Sequence, residues 1–233
     1  MLKLTIFPEG FNEPSGSPFA VKALCLVENS GQPYEVIVTP DPRKAPKQKL
    51  PVLEHGANVI PDSDQIRDYL ESAFDVDYDK GLSDEQRAVS RSIIRMLEEH
   101  LYFAIYSDRW QDDGNWALTK SIYFNDMPPV IGGFITNQIR KGAVAQITGQ
   151  GMGRHSPTEQ ATRVEKDIAA VETILGDKPF LFGDTPSGAD YTAVPFLAAA
   201  AAFPSETPIT TVVQSRPNLM AYIARGKDTF YPK

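Results

Sequence analysis

The stretch Asn12 to Cys25, NEPSGSPFAVKALC, joins two runs of different character. Upstream, Leu2 to Phe7 (LKLTIF) is rich in β-formers. Downstream of Phe19, the residues Val21, Leu24 and Cys25 fall on one helical face. Pro18 suits a first helical turn, where its missing N–H costs nothing, and Ser17 then takes the N-cap position. A strand therefore feeds a helix through a polar turn. Working outward, Val36 to Val38 reads as a second strand after Gly31 and Pro33, which closes a βαβ unit with an expected right-handed crossover. Asp41 to Lys49 (DPRKAPKQK) is basic and broken by proline, hence a loop. Leu50 to Glu54 and Asn58 to Ile60 make two short strands around Gly56. From Ser63, the residues Ile66, Tyr69, Leu70 and Ala73 share a helical face, capped by Asp62 or Ser63. Residues 1–75 thus read βαββα.

After an acidic, strandless linker from Asp75 to Gly81 the pattern changes to helices throughout, so residues 83–233 form a second, all-helical domain. Ile94, Leu97, Leu101 and Ile105 mark one long helix. Ala161, Val164, Ile168, Val171 and Leu175 mark another, opened by a capping box at Ser156-Pro157-Thr158-Glu159. A third is expected to begin at Ser187, with Asp190 three residues on. The fold class is α/β plus all-α.

The totals exclude several functions. A formal charge of -7 and a pI near 5.0 argue against a nucleic-acid surface, which needs a concentrated basic face. The single cysteine, Cys25, allows neither an intrachain disulfide nor a cysteine metal cluster, and fits a reducing compartment such as the cytoplasm. The three histidines, His55, His100 and His155, lack ligand spacing, so no metal centre is expected. No basic segment followed by an apolar core opens the chain, which argues against a secretory signal. The longest apolar run, Ala193 to Phe203, holds Pro195 and is about half of the ~20 residues a membrane helix needs. It is expected to be a buried helix.

The segments SPFAVKALCLVENSGQPYEV, KLPVLEHGANVIPDSDQIRDYL and LGDKPFLFGDTPSGADYTAVPFL, in this order over nearly the whole chain, resemble the cytosolic glutathione S-transferase superfamily. SPFA at a helix start is similar to the plant Tau class. RWQDDGNW and QGMGRHSPTEQ are more similar to the branch of the failed axon connections proteins and metaxins, bacterial members included. GDTPSGAD resembles the family's helix-starting box. The resemblance implies a thioredoxin-like first domain, a helical GST second domain lining an electrophile pocket, glutathione as cofactor, a homodimer, a role in detoxification and a cis peptide before Pro51.

The resemblance also assigns residues. Ser17 matches the position of the activating hydroxyl: a donor to sulfur beside the positive end of a helix favours the thiolate, the form that attacks electrophiles. Ser15 is a rival, and Asn12 a third. Leu50 and Pro51 would offer backbone groups to glutathione as to an added strand. Asp62 and Ser63 match the acid-serine pair that holds the γ-glutamyl group at a helix start. Lys49, from the basic cluster Arg43, Lys44, Lys47 and Lys49, would meet the glycyl carboxylate. Tyr106 and Arg109 are the candidates for the electrophile pocket. Ala20 stands where some relatives carry cysteine, which disfavours thiol transfer, and Cys25 reads as core. The implied activity is conjugation of glutathione to a small hydrophobic electrophile. The alternatives are a glutathione-dependent isomerase or peroxidase, or a metaxin-like binding scaffold without turnover.

Overall fold

The computed structural model describes residues 1–124 and 129–233, the side chains of 129–131 apart. Along β1 (Leu2–Ile6) the side chains of Leu2, Leu4 and Ile6 turn inward and are buried. Each such burial stabilises the fold by about 1.5–3 kcal/mol, which fixes the inner face of the sheet. β2 (Tyr34–Val38) pairs parallel to β1, while β3 (Val52–His55) and β4 (Asn58–Pro61) follow antiparallel, in the order β2-β1-β3-β4. α1 (Pro18–Glu28) and α2 (Ser63–Phe74) bring Val21, Leu24, Ile66 and Leu70 into one core with Leu4 and Leu53.

Register decides where a site can form. Thr5 lies opposite Val52, and Val52 lies opposite Pro61. The exit of β1, the entry of β3 and the exit of β4 therefore share one end of the sheet. At that end stand the loop to Ser17, the Leu50-Pro51 peptide and the start of α2.

The stretch after α2 is a structural joint. Tyr78 is buried and its hydroxyl donates to the Leu26 carbonyl at 2.5 Å. Asp79 accepts from Arg67 at 2.8 Å and from the Gly188 amide at 2.9 Å. The long helix expected around Ile94 to Ile105 is interrupted: α3 (Asp84–Met96) and α4 (Tyr102–Trp110) are joined by a widened π-type turn at Leu97–Leu101. Within that turn Glu98 is buried and accepts from Lys22 of α1 at 2.6 Å.

α5 (Asp113–Tyr123), α6 (Pro129–Gln150), α7 (Pro157–Leu175), α8 (Asp190–Ala201), α9 (Pro208–Gln214) and α10 (Pro217–Phe230) complete the described residues. The capping box of α7 forms as its sequence implies, with both Ser156 and Glu159 bonded. α8 starts three residues later than expected, at Asp190. There the amide and hydroxyl of Ser187 both donate to the Asp190 carboxylate, at 2.7 and 2.6 Å, and the Leu181 amide and Tyr222 hydroxyl join them at 2.9 and 2.6 Å. This buried carboxylate, whose pKa burial raises, ties three segments to the start of α8. α8 itself is buried from Asp190 to Ala200 and packs against α1, so the sheet and the helices share one core. No helix among the described residues is long and apolar enough to cross a membrane.

Candidate functional site

Ser17 has the extended dihedrals of an N-cap residue, φ -110° and ψ 121°, yet its hydroxyl makes no capping bond. It is partly exposed at the N-terminus of α1, where the helix dipole favours negative charge. Ser15 is buried, and its hydroxyl lies 3.4 Å from the Ser17 amide as an acceptor. The accessible hydroxyl of the loop is thus that of Ser17. Asn12, exposed, takes φ 57° in the same loop.

The Leu50-Pro51 peptide is cis. The Pro51 carbonyl accepts from the Asp62 amide at 3.2 Å, which places this turn beside the start of α2. Asp62 has φ 82°, and its carboxylate accepts from the Asp64 amide at 2.9 Å as the cap of α2. Ser63 follows it and is buried. Lys49 is exposed next to Leu50. Ser17, Leu50, Pro51, Asp62 and Ser63 therefore converge on one sheet end, as two helix N-termini flanking an irregular strand entry. Such a constellation can hold an extended peptide with carboxylates. α1 and α2 are cross-linked just behind it: Lys22 Nζ lies 2.6 Å from Glu98 and 3.4 Å from Asp64, whose other oxygen is 3.2 Å from Arg95.

The loop before Ser17 is fixed by the helical part. The Gly16 carbonyl accepts from the Tyr123 hydroxyl at 2.6 Å and from Arg109 at 3.1 Å, and the Gly16 amide donates to Pro8 at 2.9 Å. Phe11 lies edge-on to Tyr123 with centroids 5.4 Å apart and stacks on Phe203 at 5.7 Å. Glu13 is buried and bonds Lys227 and, at 3.1 Å, Tyr231; burial raises its pKa despite both partners. Arg109, expected in an electrophile pocket, is itself buried. Its donors reach the Gly16 carbonyl and, at 2.8 Å, the Ala199 carbonyl of α8. It is a bridge between the loop and α8.

Tyr106 is partly buried and stacks on Tyr102 with centroids 5.5 Å apart, and Tyr102 meets Phe19 edge-on at 4.8 Å. An aromatic wall thus runs from α4 to the first turn of α1. Burial raises both hydroxyls, that of Tyr106 to about 12, so they are protonated donors at neutral pH. Two cavities lie elsewhere: one of about 810 Å³ along α6 that includes Arg140, Lys141 and Arg154, and one of about 300 Å³ that includes Asp108, His155 and Gln160. None of the residues at the sheet end lines either one.

Sequence reasoning passed over Tyr123, Phe11, Glu13 and Lys22, and took Gly16 as a point of flexibility where the structure bonds both its amide and its carbonyl. For Lys22 a signal existed: a charge amid Val21, Ala23 and Leu24, in a helix otherwise apolar up to Val27, demands a buried partner. For Tyr123 none did, because its partner lies 107 positions away.

Two family descriptions match the chain: "Glutathione S-transferase N-terminal domain" over residues 18–115 and "Glutathione S-transferase, C-terminal domain" over residues 143–225. The isoprene-epoxide glutathione S-transferase of Rhodococcus sp. (strain AD45) is 31% identical over 91% of this chain and 92% of its own length. Failed axon connections of Drosophila melanogaster is 29% identical over 94% of this chain, which spans 55% of that protein. A metaxin-1 homolog of Caenorhabditis briggsae is 23% identical over 99% of this chain and 74% of its own length. Among solved structures, a glutathione S-transferase of Ceriporiopsis subvermispora in complex with glutathione superposes with a TM-score of 0.67 at 16% identity, covering 98% of this chain and 96% of that one.

Proposed function

The chain belongs to the glutathione S-transferase family, and from that premise we propose that it binds reduced glutathione along the sheet end and joins it to a small hydrophobic electrophile. The observation that carries this reading is the Ser17 hydroxyl, accessible at a helix N-terminus and bonded to no backbone amide. Glutathione supplies the nucleophilic sulfur. Ser17 donates to it and, with the α1 terminus, stabilises the thiolate. The Leu50 backbone beside cis-Pro51 pairs with the cysteinyl backbone, Ser63 and the first amides of α2 hold the γ-glutamyl carboxylate, Asp62 stands near its ammonium, and Lys49 meets the glycyl carboxylate. The aromatic wall at Tyr102 and Tyr106 receives the electrophile. The similarity to an isoprene-epoxide transferase supports an epoxide as that electrophile. An S–C bond then forms, a ring C–O bond breaks, and the alkoxide takes up a proton equal to the one the thiol released to solvent. The working assembly of this proposal is a homodimer in the cytoplasm.

The test is Ser17→Ala. The hydroxyl caps nothing, so stability should move by less than about 0.5 kcal/mol. Thiolate absorbance of bound glutathione at neutral pH should fall, and turnover of an aryl halide or epoxide should drop roughly a hundredfold, as for loss of one donor to a developing anion. Unchanged absorbance and turnover would remove Ser17 from the site. A second reading, a binding module without turnover, is supported by the similarity to Failed axon connections and a metaxin homolog. No heat of binding at millimolar glutathione would favour it.

A further inference from the structure

Two basic side chains are recorded as buried among the described residues, Lys22 and Arg109. They are balanced in opposite ways. Lys22 has two carboxylates in reach, Glu98 and Asp64. Arg109, 4% exposed, has none among the described residues within ion-pair distance. Its guanidinium donates to two backbone carbonyls, lies over the Phe11 ring at 3.8 Å, and leaves its Nε–H without a partner. A cation taken out of water without a counter-ion is among the costly arrangements a fold can hold. Carbonyl dipoles and a ring face offset only part of that cost.

Two carboxylates, Glu13 and Asp108, lie within Coulombic reach of the guanidinium without forming an ion pair with it, and each holds other partners. Glu13 is bonded to Lys227 and Tyr231, and Asp108 on the same helix accepts from Thr207 at 2.7 Å. Tyr123 donates to the same Gly16 carbonyl. That carbonyl belongs to the peptide whose nitrogen is that of Ser17, so the guanidinium stands one peptide unit from the hydroxyl assigned to the sulfur.

Resting on the transferase reading above, we propose that Arg109, which has no ion-pair partner among the described residues, is a positioning residue whose charge is balanced by the sulfur anion of glutathione bound at Ser17. It acts without touching the sulfur. Its charge lowers the energy of the anion across a low-dielectric interval, and its hydrogen bond aligns the Gly16-Ser17 peptide. At a separation on the order of 8 Å and an effective dielectric constant of about 20, such a charge lowers a thiol pKa by about one and a half units. Glutathione binding at neutral pH then releases a proton to solvent, and binding of S-methylglutathione releases none.

The experiment titrates the thiolate absorbance of the complex for the intact chain and for Arg109→Gln, Arg109→Lys and Tyr123→Phe. Arg109→Gln keeps a donor for the Gly16 carbonyl and removes the charge. The bound thiol pKa should rise by about one and a half units, while affinity for S-methylglutathione stays within about twofold. Arg109→Lys and Tyr123→Phe keep a cation at the site and should each produce less than half that rise. Equal titrations of the intact chain and Arg109→Gln overturn the inference and leave the transferase reading standing. A rise as large in Tyr123→Phe overturns it too, since the alignment of the loop would then be the cause. Absence of any glutathione binding by the intact chain removes both. Should Arg109→Gln fail to fold, proton release by Ser17→Ala, which keeps Arg109, decides when measured calorimetrically in two buffers: release that persists in part with glutathione and is absent with S-methylglutathione supports the inference, and complete loss of release overturns it.

Discussion

A Cβ built on Gly16 stands 2.3 Å from the Tyr123 ring and 2.7 Å from its hydroxyl. Glycine is required there by the approach of another part of the chain, since the position has no left-handed backbone. Gly16→Ala must displace the loop or the ring. It should destabilise the fold by about 2 kcal/mol, in the range of overpacking, and weaken glutathione binding, as read by denaturant melts and calorimetry. A variant as stable as the parent would show that the loop gives way freely. The contrast with Ser17 is instructive. Ser17-Pro18 is legible in sequence because an N-cap serine before a first-turn proline is a local pattern. What Ser17 does with its hydroxyl is not, since the structure withholds the capping bond that the pattern implies.

At the scale of elements, the helices with local signals are legible. The capping boxes of α3 and α7 satisfy their own first turns, so neighbours in sequence are sufficient to specify them. The π-type turn between α3 and α4 is not a local matter. It holds Glu98 against Lys22, 76 positions earlier, and burial raises the Glu98 pKa against the pull of Lys22 and Arg95. Lys22→Met leaves that carboxylate with the partly exposed Arg95 alone, and Asp64 with Arg91 and Arg95, and should cost about 3 kcal/mol. Adding Glu98→Gln should recover about half of the loss, because a buried charge that has lost its buried partner goes with it. A double variant no more stable than Lys22→Met would mean that the pair matters through packing alone. The link also joins α1 to the start of α2, so both helix termini of the candidate site depend on it.

At the scale of the molecule, pH reports how the helical part is held together. Asp108 on α4 accepts from Thr207, the cap of α9, and burial pushes its carboxyl up to about 6. The folded pKa thus exceeds that of the unfolded chain. The stabilisation from the extra proton is fully present below the unfolded value of about 4 and is lost as pH rises through about 6. Asp108→Asn keeps an acceptor for Thr207 without the charge. It should match the parent near pH 4 and exceed it at pH 8 by roughly 2 kcal/mol, after allowance for partial solvent screening. Denaturant midpoints across that range check the sign. An advantage that shrank as pH rose would contradict it.

The sequence by itself determined the βαββα order of the first domain, the α/β-then-helical plan, the capping box of α7 and the turn that presents Ser17. Each follows from periodicity, capping and turn chemistry acting over a few residues. Only the tertiary structure decided the use of the charged and aromatic side chains: Lys22 paired in the core, Glu13 bonded to Lys227, Tyr123 laid on Gly16, and Arg109 turned from an expected pocket wall into a bridge. Buried charges and close backbone approaches are settled by partners 76 to 214 positions apart, and nothing near them in the chain encodes which partner arrives.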